Sequence, residues 1–286
     1  DNHGTSLINE TLRGSYGITR KAFVDVLLAN IPKDWLHFDH NFSHFEFDHL
    51  GNAQKAIFQN KTAITADLFL GCDGGNSAVR KQIIPNAIRS KIKVQELVSI
   101  VKNPFLVNTL NHKFIKYKAL NGGLAVGVVP ASTESLVWFM QFDVNKYDLK
   151  DTSEQGKQAF ANNTLHHWPA PIQQLIDGTD FSNSHIAKSS YLEPLPRFHK
   201  NNVVLLGDAA HALLPFTSQG VNAAIEDAIE LAKTLFRSKK GFLDVALEHY
   251  SVMRKPVVEQ FLQQGIALQD EFLQPHQANQ KIPFAF

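Results

Sequence analysis

The 286-residue chain has a single cysteine, Cys72, which excludes an intrachain disulfide framework and any cysteine-based metal site. Such usage matches a reducing compartment. No apolar run approaches the roughly 20 residues that a membrane span requires. The chain therefore reads as a soluble, cytoplasmic protein with no membrane partner. Charge of one sign is also lacking: 28 Lys and Arg stand against 27 Asp and Glu, with no basic stripe, which argues against a nucleic-acid partner. Internal repeats and low-complexity tracts are absent. The first residue is Asp1 and the only methionines are Met140 and Met253, so the chain reads as lacking an N-terminal segment. What it has in quantity is apolar surface. At 44% hydrophobic residues it can build one large or two modest cores.

Hydrophobic spacing divides the chain. Residues 18–28 carry apolar positions at helical intervals, with Thr19 as a suitable N-cap and Pro32 as the stop. Residues 35–58 change to short alternating runs around a Gly51-Asn52 turn. Residues 66–72 form a compact apolar run that suits a buried strand, leading into Asp73-Gly74-Gly75 and a short helix ended by Pro85. From about residue 91 to 190 strand-like runs dominate, among them 123–129 and 136–142. Residues 202–206 again read as a buried strand. A long helix is predicted from Gly220, with Val221, Ile225, Ala228, Ala232 and Leu235 on one buried face. The last helical segment, 243–273, is expected to be interrupted near Pro256.

Two stretches carry ligand-binding chemistry. In Gly71-Cys72-Asp73-Gly74-Gly75-Asn76-Ser77-Ala78-Val79-Arg80 a strand end meets a glycine pair, a capping residue (Asn76 or Ser77) and a helix start. The free N–H groups and positive dipole end of such a terminus suit phosphate, and Arg80 one turn in could add a fixed positive charge. A plain glycine-rich turn with Arg80 on the surface fits the same residues. The second stretch is more specific. It runs Val203-Val204-Leu205-Leu206-Gly207-Asp208-Ala209-Ala210-His211 to Pro215, then Gln219-Gly220-Val221-Asn222 and Glu226-Asp227-Ala228. A carboxylate at a strand end, Asp208, can accept hydrogen bonds from ligand hydroxyls. Ala209 and Ala210 allow close backbone approach, and the Gly220 helix start aims N–H groups and a positive dipole end at whatever lies above it.

In order and approximate spacing these stretches resemble the class A flavoprotein monooxygenases, the aromatic-ring hydroxylases that include para-hydroxybenzoate hydroxylase, kynurenine 3-monooxygenase and tetracycline-degrading monooxygenases. Asp73-Gly74 through Arg80 resembles the family's Asp-Gly motif, and Gly207-Asp208 with Pro215 its Gly-Asp motif. Ile18-Thr19-Arg20 resembles the segment whose arginine reaches the flavin, and Tyr250, Arg254 and Pro256 a weaker C-terminal pattern. The resemblance implies an α/β fold with an α+β insertion. A Rossmann-like FAD-binding domain of the para-hydroxybenzoate hydroxylase type would comprise residues 1–90 and 191–286, without its N-terminal βαβ unit, and residues 91–190 would form a β-sheet substrate domain. It also implies FAD as cofactor, NAD(P)H as transient reductant and O2 as co-substrate. A small aromatic or polycyclic substrate would be hydroxylated through a flavin C4a-hydroperoxide, by a monomer or homodimer. The implied cofactor contacts are Arg20, Asp73, Gly74, Arg80, Gly207, Asp208, Pro215, Gly220, Val221 and Asn222. Phe139, Gln141 and Phe216 are candidate pocket residues, and no residue is assigned as catalytic.

Two departures from the family pattern stand out. The Gly-x-Gly-x-x-Gly turn that holds the ADP moiety in dinucleotide-binding folds is absent from these residues. Ser218 stands where the family usually has glycine before Gln219-Gly220, a replacement that is tolerated if the backbone there does not need a positive φ. The alternatives are a related flavoprotein reductase or halogenase, although no distinctive lysine motif stands out, and a non-catalytic remnant that no longer binds flavin. His37, His40, His44 and His49, with Asp39, Glu46 and Asp48, could suggest a metal cluster. Their alternation with Leu36, Phe38, Phe45 and Phe47 favours a strand with one wet face. His211 reads as support for its turn rather than as a general base.

Overall fold

The computed structural model describes residues 1–7, 9, 17–111, 113–238 and 242–276. In chain order its elements begin with α1 (Arg20–Leu28), β1 (Phe42–Phe47), β2 (Ala53–Phe58), β3 (Ala63–Thr65), β4 (Phe69–Gly71) and α2 (Ala78–Ile83). There follow β5 (Val94–Lys102), α3 (Pro104–Thr109), β6 (Ile115–Lys118), β7 (Leu124–Pro130), β8 (Ser135–Asp143), α4 (Glu154–Leu165), α5 (Ala170–Asp177) and β9 (His185–Ser189). The remaining elements are β10 (His199–Lys200), β11 (Val203–Leu205), α6 (Asp208–His211), α7 (Gly220–Arg237) and α8 (Leu243–Leu273). The described residues form two compact units: one draws on 1–35, 92–189 and 270–276, the other on 36–91 and 190–269. Among the described residues, no helix is long and apolar enough to cross a membrane.

The first unit is built on a five-stranded antiparallel sheet in the order β6-β7-β8-β5-β9. The alternation in residues 136–142 becomes two faces of β8. Leu136, Trp138 and Met140 pack with Leu97 and Val126 against Leu165, Ile172, Leu175 and Ile176 of α4 and α5. Each such side chain, fully buried, contributes about 1.5–3 kcal/mol relative to exposure. Trp138 satisfies its indole N–H on Thr179 Oγ1 at 2.9 Å. The opposite face carries Glu96, Phe139, Gln141 and Gly127, brought into line by the pairings Glu96↔Gln141 and Gly127↔Phe139. In α1, Thr19 Oγ1 caps the helix by accepting from the Ala22 N–H at 3.2 Å, yet no residue of that helix is buried.

The second unit holds two three-stranded sheets, β1-β2-β3 and β10-β11-β4. Asp48 to Asn52 closes the β1–β2 turn with Gly51 at φ +83°, as the Gly51-Asn52 dipeptide indicated. The strand begins only at Phe42, so residues 35–41 carry the alternation without being strand. The run at 66–72, expected to be a buried strand, shortens to β4, in which only Gly71 is buried and Leu70 is 51% exposed, while residues 63–65 pair with β2 as a separate strand. β4 lies parallel to β11, with Val203 opposite Phe69 and Leu205 opposite Gly71. Around β11, the side chains of Val203, Val204 and Leu205 share a core with Val79, Ile83, Leu247 and Tyr250.

Two helices depart from the pattern read in the sequence. α7 begins at Gly220 as expected, but its buried residues are Ala223, Asp227 and Leu231. Val221 and Ile225 are 58% and 41% exposed, and Ala228 and Ala232 are exposed as well. The interval was right and the face was not, because a paired acid rather than an apolar residue occupies the inward position. α8 runs uninterrupted through Pro256. Leu247 and Tyr250 before the proline and Val258 after it are anchored in one core, which offsets the lost backbone hydrogen bond.

The close approach of strand and helix at Gly71 is testable. A Cβ there would lie 2.7 Å from Val79 Cγ1 and 2.9 Å from Leu205 Cδ2. Gly71→Ala is expected to lower stability by about 1–3 kcal/mol in urea denaturation, as overpacking does. An unchanged midpoint would contradict this packing.

Candidate functional site

The C-terminal ends of parallel neighbours β4 and β11 bring the two motifs together, because Leu205 pairs with Gly71. Strand ends of this kind are where open α/β sheets bind ligands. Gly207 leaves β11 at φ +56°, a conformation that disfavours a side chain, and a Cβ there would sit 3.1 Å from Ala224 Cβ of α7. Asp208 then opens α6, exposed, with no hydrogen bond from a described residue to its carboxylate.

Asp73 and Arg80 bind protein rather than leaving their groups open. Ser77 Oγ donates to Asp73 Oδ1 at 2.5 Å, and the N–H groups of Ala78 and Val79 reach Asp73 Oδ2 at 2.7 and 3.1 Å. Ser77 Oγ in turn caps the Arg80 N–H at 2.8 Å. The α2 terminus, which the sequence suggested for phosphate, therefore has its first N–H groups occupied. Gly74, at φ +78°, makes the turn between them. Arg80 is only 4% exposed, so the surface reading does not hold. Its guanidinium donates to the carbonyls of Ala209 (2.8 Å), Asp208 (3.3 Å) and Gly75 (2.5 Å), fastening one motif to the other. Burial, followed by the nearby charge of Arg89, holds its pKa below the usual arginine value.

A second fastening comes from Asp227 on α7, which is 0% exposed. Its Oδ2 accepts from the Gly207 N–H at 2.8 Å and from His211 Nε2 at 2.5 Å. Its Oδ1 accepts from Arg254 Nε at 2.8 Å, and Arg254 Nη1 continues to Glu226 at 2.9 Å. Burial pushes this carboxyl upward. The hydrogen bonds and charges of His211 and Arg254, with the Gly207 N–H, outweigh that and hold it below the ordinary value. Tyr250 O–H donates to the Leu205 carbonyl at 3.3 Å. The sequence placed Asp227 and Arg254 inside recognised motifs without giving either a role. A carboxylate, a histidine and an arginine in one apolar stretch were the available signal. His211 supports its turn, as its place in the motif suggested.

Beyond α6, Pro215 opens a 3-10 turn over Pro215–Thr217, with Phe216 half-buried. Ser218 adopts φ +55°, ψ 17°, so the loop does require the left-handed conformation that glycine supplies more easily, and the condition under which serine fits without strain is not met. The α7 terminus at Gly220, Val221 and Asn222 has no side-chain cap. Thr217 Oγ1 and His211 Nδ1 are buried with no hydrogen-bond partner among the described residues.

The other candidate residues belong to the first unit. Arg20 is the first residue of α1 and is exposed. Gln141 is 3% exposed, and its amide donates to Glu96 Oε1 at 2.6 Å. Burial raises the Glu96 carboxyl against the opposing pulls of Gln141 and Lys116. The ring of Phe139 lies against Gly127 and has Lys116 Nζ 5.9 Å from its centre. Lys116 is exposed by area, yet protein surrounds its ammonium closely enough to bring its pKa down to about 8. Glu96 and Lys116 were missed in the sequence, although Glu96 interrupts an apolar run on β5.

The sign of the acid response follows from Asp227. A carboxyl depressed in the folded state contributes stability that is complete above its ordinary value of 3.8 and is lost as pH falls through the folded value. Urea midpoints are therefore expected to drop below about pH 4. Asp227→Asn should cost about 3–5 kcal/mol at neutral pH, by leaving the buried Arg254 with only the half-exposed Glu226 as a charged partner, and should flatten that acid limb. Equal acid limbs in the two proteins would contradict the assignment.

Residues 36–265 match the family described as FAD binding domain. Monooxygenase 2 of Arabidopsis thaliana is 25% identical over 232 residues, covering 78% of this chain and 54% of that protein. The FAD-dependent urate hydroxylase of Mycolicibacterium vanbaalenii is 28% identical over 258 residues, covering 87% of this chain and 62% of that protein. The chain thus spans between 54% and 62% of the length of these two relatives. Klebsiella pneumoniae HpxO, solved with FAD and uric acid, shares the fold with a TM-score of 0.79 at 21% identity, over 89% of this chain and 64% of that one. With the motifs, the strand-end geometry and the family match in agreement, the chain belongs to the FAD binding domain family.

Proposed function

We propose that this chain forms the ribityl-facing and substrate-facing parts of an FAD-dependent monooxygenase that hydroxylates a small aromatic or polycyclic substrate. NAD(P)H would serve as transient reductant and O2 as oxygen source. The observation that carries the reading is Asp208, a carboxylate without a hydrogen-bond partner among the described residues, at the end of a buried strand whose exit is fastened by Arg80 and Asp227. Fixing an acceptor so firmly and leaving it unused suits a ligand rich in hydroxyls. The names of the relatives support the same chemistry.

The residues present fit FAD. When bound, it would supply the electron transfer from NAD(P)H and the activation of O2 that precede hydroxylation. Asp208 would accept from the ribityl hydroxyls, and Gly207 would let the chain approach closely. The uncapped α7 terminus at Gly220, Val221 and Asn222 would favour negative charge on the reduced ring system. Pro215 and Phe216 would wall the pocket. Asp73, Gly74 and Arg80 would serve by holding the Asp-Gly turn against the Gly-Asp turn. Residues 91–190 would present the substrate-facing sheet.

Titration of the purified chain with FAD, followed by visible absorbance and flavin fluorescence, tests the reading. Binding is expected, with bleaching by NADPH under nitrogen and recovery in air. Asp208→Ala should weaken binding by at least about tenfold, the loss of one or two hydrogen bonds to a charged acceptor. Its thermal midpoint should change little, because the carboxylate accepts no hydrogen bond from a described residue. No spectral response to FAD, or equal affinity in the variant, would sink the proposal.

A further inference from the structure

Two glycines stand side by side in the turn after β4, and the structure needs them for different reasons. Gly74 adopts φ +78° with open space where a Cβ would point, so its backbone conformation calls for glycine. Gly75 is not at positive φ, and what it needs is room: a Cβ there would lie 2.8 Å from Arg89 Nη1. The guanidinium of Arg89 thus occupies the place of a side chain at Gly75. It is fixed there from two sides. Its Nη2 donates to the Ser190 carbonyl at 2.9 Å and to Ser190 Oγ at 2.7 Å. Its Nη1 donates to Oδ1 of Asn76, the next residue of the turn, at 3.3 Å.

The segment that carries Arg89 is itself held. The Ser90 N–H donates to the Tyr191 carbonyl and the Glu193 N–H to the Ile88 carbonyl, both at 2.9 Å, which makes a short antiparallel ribbon of residues 88–90 and 190–193. The Leu192 N–H continues to the Ala212 carbonyl at 2.9 Å, just past α6. The ribbon therefore joins the Gly-Asp motif through its backbone and the Asp-Gly turn through the Arg89 side chain. Arg80 grips the same glycine from elsewhere, through the Gly75 carbonyl. Two guanidinium groups this near repel each other, so hydrogen bonds rather than attraction keep Arg89 in place.

We propose that Arg89 is a positioning residue for the cofactor: it sets where Gly75 lies, and with it the carbonyl through which Arg80 ties the Asp-Gly turn to the Asp208 and Ala209 carbonyls. Its planar fork is the necessary feature, since Ser190 and Asn76 are reached by separate nitrogens. Losing the fork lets the turn drift, and Asp208 with it, although Arg89 itself touches no ligand. The inference rests on the flavoenzyme reading for the identity of the ligand, and on the turn alone for the clamp.

Titration of the whole chain with FAD, read by flavin fluorescence, tests this with Arg89→Ala, Arg89→Lys, Gly75→Ala and the double variant Arg89→Ala/Gly75→Ala. Arg89→Ala is expected to weaken FAD binding by at least about fivefold. Arg89→Lys keeps the charge without the fork and should bind no better than Arg89→Ala, whereas a purely electrostatic role would be rescued by it. Gly75→Ala should weaken binding to a similar degree by displacing the guanidinium, and the double variant should bind no more weakly than Arg89→Ala alone. Wild-type affinity in Arg89→Ala, rescue by lysine, or losses that multiply in the double variant overturns the inference. If circular dichroism shows Arg89→Ala misfolded, Arg89→Lys and Gly75→Ala carry the test, and wild-type affinity in either overturns it. Urea denaturation without FAD separates the two claims. Gly75→Ala should lower the midpoint in the wild-type background and not in Arg89→Ala; the same shift in both overturns the clamp. That coupling in a chain that binds no FAD defeats the proposed function alone.

Discussion

The buried carboxylate of Asp227 is the constraint around which the second unit is arranged. An isolated charge in that position would cost several kcal/mol, so its three donors are needed together. They come from separate places: the Gly207 N–H from the exit of β11, His211 from the end of α6, and Arg254 from the middle of α8. One side chain thereby sets the turn after the strand, the face that α7 turns inward and the register of α8 against it. The left-handed Gly207 turn is the product of this fastening. Asp208, its neighbour, points a carboxylate outward as a consequence.

Arg80 does the complementary work from the other strand. Its guanidinium reaches the carbonyls of Gly75, Asp208 and Ala209, and is the direct link between the loops leaving β4 and β11. The two helix starts nearby are treated differently. At α2 the N–H groups are occupied by Asp73 and Ser77, whereas the start of α7 has no side-chain cap. A helix terminus that the protein satisfies internally is part of the scaffold. One left open, beside an unused carboxylate, is available to a ligand.

Much of this was legible before any coordinates. Thr19, Gly51 and Gly220 mark a cap, a turn and a helix start by local chemistry alone, and the strand runs at 123–129 and 136–142 became β7 and β8 nearly intact. The order of the Asp-Gly and Gly-Asp motifs indicated both the fold and the family. What stayed hidden depended on partners far away in sequence. Arg80 was legible as a cation but not as a brace, since its acceptors are backbone carbonyls 128 and 129 residues on. The inward face of α7 was misjudged because helical periodicity ranks apolar residues and cannot anticipate that Asp227 is neutralised by Arg254. Ser218 in the left-handed region likewise follows from the surrounding backbone, which composition does not encode.

The central claim is that Asp227 and Arg254 act as one buried unit. A double-mutant cycle measured by urea denaturation at neutral pH, using Asp227→Asn, Arg254→Met and the double variant, tests it directly. Each single change leaves the other partner buried with fewer contacts, Arg254 with Glu226 and Asp227 with His211 and the Gly207 N–H, so the account predicts that the double variant loses clearly less stability than the sum of the two, by about 1–3 kcal/mol. Losses that add would mean the two residues contribute independently, and the arrangement described for the Gly207 turn would have to be attributed to other contacts.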